Sequence, residues 1–288
     1  MNKIKGEELR DFLDSESKKI AILDNNSANF FYTISNKANV DELLNKYDLI
    51  LIPNWVFVEI KDSNLRLNYL RGINGKNNKV RVIDEEEYEV FAKYKSKWLY
   101  KFYLNTCFLN ARLKTYLKKN VEKEDLDDLD DYEFWMKGFY DNAFEKKILN
   151  NGREKRKNAG EISICILALI IAYIYRDFKH TVTIISEDRD AYEYLKKAKE
   201  EIIKDNIIDL EEKSTITFKS NDFIIKEIYS NDLILNNSSI EEIIKVRSIR
   251  RVRYIVEALD GSIEEHCKLL NNEMFYSLIK NEIINIIF

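Results

Sequence analysis

Short apolar segments alternate with amphipathic ones along most of this chain. Each apolar segment is rich in β-branched residues and ends at a polar or turn-forming residue. Such runs are typical of strands buried on both faces of a parallel sheet, and the helical patterns between them predict crossover connections. We therefore expect an α/β fold with a doubly wound parallel sheet. The strand segments are IAIL (20–23), YDLILIP (47–53), KVRVID (79–84), VTIIS (182–186) and STITFKS (214–220).

The remaining sequence predicts mostly helices. Residues 61–150 are largely helical in pattern and rich in aromatic residues, and residues 233–288 read as two or three amphipathic helices. The division that follows has an α/β domain at 1–60 and 151–232. A large, mainly helical insertion occupies 61–150, and a helical C-terminal tail occupies 233–288.

Composition narrows the function classes. The 288 residues include 46 Lys and Arg and 50 Asp and Glu, which gives a net charge of −4. Any nucleic-acid binding must therefore come from local basic patches. Three cysteines and two histidines argue against disulfides, structural zinc and a Ser-His-Asp triad. The N-terminal residues show no apolar signal segment, and the longest apolar run (162–175) is too short for a membrane helix. We expect a cytoplasmic protein with no membrane contact.

Four acidic residues carry the candidate chemistry. Asp24 and Asp188 follow two strand segments, whereas Glu59 and Glu161 lie on predicted helices. Carboxyl ends of parallel strands meet at one edge of a sheet, where ligands bind. Carboxylates gathered there repel one another unless a cation neutralises them, and Mg²⁺ or Mn²⁺ prefers oxygen ligands. The pattern predicts a metal site suited to hydrolysing phosphodiesters.

Each acid also has an ordinary interpretation. Asp24 suits an N-cap, and Glu161 a favourable acid in a first helical turn. Glu59 suits a surface position on its helix, although its apolar neighbours indicate a largely covered segment. Asp188 and Asp190 begin a helix and one of them serves as its cap. The metal interpretation depends on all four acids together.

The same blocks resemble the PIN-domain family: the strand ending at Asp24, IPNWVFVEI with Glu59, GEISICILALIIA with Glu161, and TIISEDRDA with Asp188. The resemblance covers roughly residues 18–60 and 155–230. It implies a metal-dependent endoribonuclease acting on single-stranded RNA, of the kind found as toxins or in RNA processing, and a toxin would have a neutralising protein partner. Glu161 departs from the commoner Asp, and the long insertion departs from small toxins.

By this resemblance, Asp24, Glu59, Glu161 and Asp188 would form the acidic pocket. Asn26 would assist them, Ser186 would orient a metal water or phosphate, and Asp190 would be an auxiliary acid. Two other functions stay open: a catalytically silent PIN-like module that binds protein or RNA, and a DNA nuclease with the same acids. A homo-oligomer is also possible.

Two basic clusters are candidate phosphate contacts. One comprises Arg153, Lys155, Arg156 and Lys157, for which a solvated loop is the alternative. The other comprises Arg247, Arg250 and Arg251, whose spacing predicts one helix face. That face suits RNA or an acidic partner equally well.

Overall fold

The computed structural model describes residues 1–123, 125–148, 152, 154–204, 215–257, 262–281 and 283–287. Fourteen helices are assigned in these ranges, besides short 3₁₀ turns. They are α1 Gly6–Leu13, α2 Asn25–Ile34, α3 Val40–Asn45, α4 Asn54–Ile60, α5 Asn64–Asn77, α6 Tyr88–Phe91, α7 Ser96–Thr106, α8 Ala111–Asn120, α9 Tyr132–Asn142, α10 Ala159–Ile174, α11 Arg189–Lys204, α12 Asn221–Ser230, α13 Ile240–Ile244 and α14 Asn272–Ile279.

The strands form a five-stranded sheet, a three-stranded sheet and a hairpin. They are β1 Lys19–Leu23, β2 Leu49–Pro53, β3 Val80–Ile83, β4 Lys146–Ile148, β5 Glu154–Arg156, β6 Thr181–Ile185, β7 Thr215–Lys219, β8 Arg250–Glu257, β9 Ile263–Leu270 and β10 Ile284–Ile286.

The central sheet is parallel and has the order β3-β2-β1-β6-β7. All five strand segments predicted from the sequence are in it, which confirms the α/β sheet. The apolar residues of β1, β2 and β6 are almost completely buried, as expected for strands covered on both faces. Register sets Ala21 beside Ile50 on one side and Thr183 on the other.

The strand order reverses between β1 and β6. The chain builds outward from β1 through β2 to β3, then returns to β6 on the opposite side and ends at β7. In doubly wound sheets this reversal opens a crevice beyond the carboxyl ends of the strands, and that crevice is the usual ligand site. The carboxyl ends of β1 and β6 are therefore where a functional site is expected.

Helix α10 forms the centre of the apolar core. Its 16 residues are buried almost without interruption. It packs against α4, α7 and α11 as well as the sheet strands. A helix that is apolar on all sides must be covered on all sides, so Glu161 in its first turn is held in a fixed position.

Residues 61–150 are mainly helical but are not separate from the sheet. They supply the edge strand β3, which pairs with β2 at Ile50 and Val80. The rest of this stretch is largely helical, with an aromatic cluster around Tyr103 and Trp135 that joins the main core. The stretch ends in β4, which pairs with β5 as an antiparallel hairpin.

The prediction of a helical C-terminal tail is wrong. β8 and β9 form an antiparallel pair, β10 adds to β8, and α13 and α14 are the tail's two helices within the described residues. Val252 and Tyr254 are buried, whereas Arg251 is exposed and Arg253 is half-buried, which is the two-residue period of a strand. No helix of the described residues is long and apolar enough to cross a membrane.

Candidate acidic site

Asp24 lies at the reversal point of the sheet, directly after β1. Its backbone N–H donates to the carbonyl of Ile185, which ties the end of β1 to the end of β6 (3.0 Å). Its Oδ1 accepts from the backbone N–H of Asn25 (2.7 Å), and its Oδ2 accepts from Ser186 Oγ (3.0 Å). Asp24 is therefore a helix cap, as its ordinary interpretation predicts, and also a carboxylate buried at the crevice.

Ser186 connects the two strand ends. Besides donating to Asp24, its Oγ accepts from the backbone N–H of Asp188 (3.0 Å). Asp188 Oδ1 in turn accepts from the backbone N–H of Asp190 (2.7 Å), so Asp188 caps α11. Asp190 is exposed and supplies this backbone group, whereas Asp188 is the partly buried acid of the pair.

Glu59 approaches from α4. Its Oε2 is 2.7 Å from Lys155 Nζ and 3.4 Å from Asn25 Nδ2. Gly160 allows the start of α10 to come close, because a Cβ there would lie 3.2 Å from Val56 Cγ2 and 3.7 Å from Glu59 Oε1. Glu59 and Glu161 are thus brought together by direct packing of α4 against α10.

Glu161 is in the first turn of α10, as predicted. Its Oε2 is shielded from solvent and has no hydrogen-bond partner among the described residues. Burial and, after it, the charges of Asp24, Asp188 and Glu59 together raise the pKa of Glu161 to about 8, against the effect of a hydrogen bond from its own backbone N–H. A carboxylate close to three others, with one oxygen unpartnered, is costly to ionise.

The other acids respond to the same surroundings. Burial, followed by the charges of Glu59 and Asp188, raises the pKa of Asp24 to about 6, although its hydrogen bonds oppose the shift. Burial also raises the pKa of Glu59, against the opposing effect of Lys155. These mutual influences show that the structure brings all four predicted acids into one cluster, here called the acidic site.

Lys155 is the only one of the predicted basic residues that contacts an acid of this site in the described part of the chain. Burial lowers its pKa, but the bond to Glu59 and the charges of Glu59, Glu161 and Asp24 outweigh it, so the pKa is raised. The ammonium group stays protonated and partly neutralises the cluster. Lys155 lies on β5, a short strand of the β4–β5 hairpin, where the alternative interpretation of the sequence was a solvated loop.

The residue types of the acidic site fit a hard divalent cation. All the donors are oxygens, and the unpartnered Oε2 of Glu161 is a free ligand atom. Yet within the described residues no three His, Cys, Asp or Glu side chains are grouped closely enough to hold a metal ion as they are placed. Mg²⁺ typically takes one or two direct carboxylates and keeps several waters. The oxygen donors therefore suit such a cation by type, but as placed the described side chains offer fewer than three direct ligands.

The remaining basic residues of the first cluster have other partners. Arg156 is 7% exposed and pairs with Glu154 and Asp141. Lys157 is exposed and lies 3.7 Å from Glu145. Arg153 is outside the described residues. Within β5, Lys155 and Arg156 point to different sides: Lys155 pairs with Glu59, whereas Arg156 pairs with Glu154 and Asp141.

The predicted arginine face of the tail is also wrong. Arg250 and Arg251 are consecutive residues of β8, so they point to opposite faces of a strand. Arg247 is buried and its Nε donates to Asp222 Oδ1 (2.9 Å). Arg250 Nε donates to Asp222 Oδ2 (3.0 Å). Only Arg251 of the three is exposed.

Sequence reasoning missed three polar residues near the sheet edge. Asn25, not Asn26, contacts Glu59, and Asn26 is exposed. Arg189 follows Asp188, is exposed, and shares a surface depression with Arg251. The position of Arg189 between Asp188 and Asp190 was the sequence signal that could have identified it.

Glu85 is the third, just past the carboxyl end of β3. Its Oε1 accepts from the backbone N–H of Trp55 (3.0 Å) and from Ser163 Oγ (2.7 Å). Burial raises the pKa of Glu85 to about 8. The run of acids at 84–87 concealed it, since such runs are usually solvated.

Comparison with known proteins adds no identity to these observations. No protein-family model, no curated protein and no solved structure matches the chain. The resemblance to PIN domains therefore stays a hypothesis, and the fold and the acidic site stand on this chain's own residues.

Proposed function

We propose that this protein is a divalent-metal-dependent nuclease that hydrolyses RNA phosphodiesters. The observation that carries the proposal is the acidic site itself: four carboxylates converge where the strand order reverses, and two of them have pKa values raised to about 6 and about 8. Clusters of this kind are held at functional sites because a bound cation offsets their repulsion. RNA as the substrate follows from the family resemblance.

The chain's residues have distinct tasks in such a reaction. Asp24 is kept in one orientation by Ser186 and by the N–H of Asn25, which suits a direct cation ligand. Glu161 offers its unpartnered Oε2. When bound, Mg²⁺ or Mn²⁺ makes a water more acidic and stabilises negative charge on phosphate oxygens.

Positive side chains beside the acidic site suit the phosphate. Lys155 holds a proton next to Glu59, and if a cation bound the carboxylates, this ammonium charge would be available to a substrate oxygen. Arg189 and Arg251 are exposed beyond Asp188, where the flanking backbone of a strand would pass. Each would favour binding through charge alone.

The test is cleavage of a labelled single-stranded RNA with Mn²⁺ or Mg²⁺ against EDTA, using wild type, Asp24→Asn and Asp188→Asn. We expect metal-dependent cleavage that both substitutions abolish while the fold survives. Asp131→Asn is the matched control, because Asp131 caps α9 as Asp188 caps α11, accepting from the N–H two residues on (2.9 Å). Full activity of both site variants would refute the proposal. DNA of the same sequence shows whether the sugar matters.

The second candidate is a silent binding module, and Lys155 favours it. An ammonium already paired with Glu59 neutralises part of the cluster without a metal. This candidate predicts that Mn²⁺ leaves the melting temperature unchanged, whereas a cation that binds only the native state raises it. Metal-dependent cleavage would exclude it.

A further inference from the structure

A polar cavity of about 210 Å³ adjoins the acidic site on the β7 side of the reversal point. It is formed by the first turns of α2 and α12 and by the segment after α13. Asn26, two residues beyond Asp24, lines it, as does Glu187, which lies between Ser186 and Asp188. Ser27 Oγ donates to Asn221 Oδ1 (3.0 Å), which fixes α2 against α12 beside the cavity.

Arg247 lines this cavity and has one guanidinium nitrogen without a partner in the described part of the chain. Its side chain is 2% exposed, Nε donates to Asp222, and Nη1 donates to the carbonyl of Leu270 (2.8 Å). Its Nη2 is buried and has no partner among the described residues. An unsatisfied guanidinium N–H in the interior is costly, and a ligand with an acceptor atom would remove that cost.

The charges around the cavity favour a neutral ligand. Arg247 and Arg250 are matched by Asp222 and Glu187 through direct ion pairs. A phosphate would face two carboxylates with no spare positive charge. A carbonyl oxygen needs only the one free donor.

The walls suit a flat, hydrogen-bonding ring. Amides of Asn26, Asn29 and Asn221 both donate and accept, while Phe30 and Ile225 supply apolar surface. Pockets for drug-sized ligands measure roughly 300–1,000 Å³, so this one has room for a single ring system. Bases of single-stranded RNA are recognised by such combinations of edge contacts and apolar or aromatic surfaces.

We propose that this cavity binds one base of the RNA next to the cleaved phosphate, and that it prefers bases with a carbonyl oxygen, such as uracil, over adenine. The inference rests on the proposed function for its substrate class. It goes beyond that function because it assigns a base subsite to α2, α12 and the Arg247 segment, outside the acidic site.

Binding without catalysis tests it. Fluorescently labelled U8 and A8 RNA are titrated in EDTA against wild type, Asn29→Ala and Ser248→Ala, both exposed cavity residues. Asn120→Ala, an exposed asparagine on α8, is the matched control. We expect U8 to bind about tenfold more tightly than A8, as one well-placed polar contact provides. The preference should shrink in both cavity variants and persist in the control.

The outcomes separate the two proposals. Equal affinity for U8 and A8, or a preference unchanged in both cavity variants, overturns the base subsite even if Mn²⁺-dependent cleavage is found. A preference lost in the cavity variants supports the subsite even if no cleavage occurs, in which case the nuclease proposal alone fails. Absence of binding to either RNA up to millimolar protein also overturns it. Arg247→Lys is a second probe: it keeps the charge beside Asp222 but removes Nη2, and should weaken U8 more than A8.

Discussion

Replacing Glu161 with Gln should stabilise the metal-free protein, and by an amount that depends on pH. In the unfolded chain this carboxyl ionises with a pKa near its ordinary value of 4.5, whereas in the folded protein the pKa is about 8. Folding must therefore protonate Glu161 or leave it charged in an unfavourable place at every pH above 4.5. Gln has neither cost.

The sign and size follow from linkage. A raised carboxyl pKa contributes no penalty below pH 4.5, a growing penalty between pH 4.5 and 8, and a constant one above. At 1.36 kcal/mol per pH unit, the penalty is about 3 kcal/mol at pH 7 and about 5 kcal/mol above pH 8. The pH 7 value corresponds to roughly 6–12 °C in melting temperature for a chain of this size.

Urea unfolding in EDTA at pH 5, 7 and 8.5, followed by tryptophan fluorescence, measures this difference. Glu8→Gln is the matched control, because Glu8 is also the third residue of its helix but is exposed. We expect the free energy of unfolding of Glu161→Gln to exceed that of wild type by an amount that grows as pH rises. The control should show no such trend. With Mn²⁺ the stability advantage of Glu161→Gln over wild type should shrink or reverse, because wild type keeps the carboxylate that binds the cation. A difference independent of pH would refute the account of the acidic site as a cluster of uncompensated charge.

Three further outcomes are expected. Glu85→Gln keeps both bonds to Oε1 and should stabilise the fold by about 3 kcal/mol at pH 7 in urea unfolding, because its pKa is raised from 4.5 to about 8 by burial; an unchanged midpoint would contradict this. Asp222→Ala leaves the buried Arg247 uncompensated and should cost about 3–5 kcal/mol by the same assay; a cost within 1 kcal/mol would show the pair is dispensable. A thiol reagent should titrate one cysteine, the exposed Cys267, in the native protein and all three after denaturation; three fast-reacting thiols in the native state would contradict the burial of the other two.

The central sheet was predictable because its signal is local. Each strand segment is a short apolar run with a polar stop, and such runs have few alternatives in a chain with long helices between them. The positions of Asp24 and Asp188 followed directly, since parallel strands place their carboxyl ends at one edge. The proximity of Asp24 and Asp188 could thus be inferred without knowing any contact, whereas Glu59 and Glu161, which lie on helices, were added through the family resemblance.

The tail was mispredicted because its spacing satisfies two periods. The spacing of Arg247, Arg250 and Arg251 fits one face of a helix, but Val252 and Tyr254 also fit the two-residue alternation of a strand. The structure forms a strand here. The Asp260–Gly261 dipeptide was the discriminating signal in the sequence, since Asp-Gly between alternating segments is a strong hairpin indicator.

Lys155 and Asn25 show a different limit. The pairing of Lys155 with Glu59 depends on how the β4–β5 hairpin folds back over α4, which no local pattern records. Asn25 and Asn26 differ by one residue, or about 100° around a helix. The cap geometry at Asp24 decides which of the two amides faces the acids. That geometry depends on contacts with residues remote in the sequence, Ser186 and Ile185.

The pairing of β1 with β6 has a consequence for how the protein is made. Asp24 and Ser186 are 162 residues apart in the chain. At typical rates of synthesis, roughly 10–30 s separate their appearance. During that time β1 can pair with β2, but its other edge has no native neighbour. The growing chain therefore carries an open apolar strand edge, and the acidic site is completed only when the second half has left the ribosome.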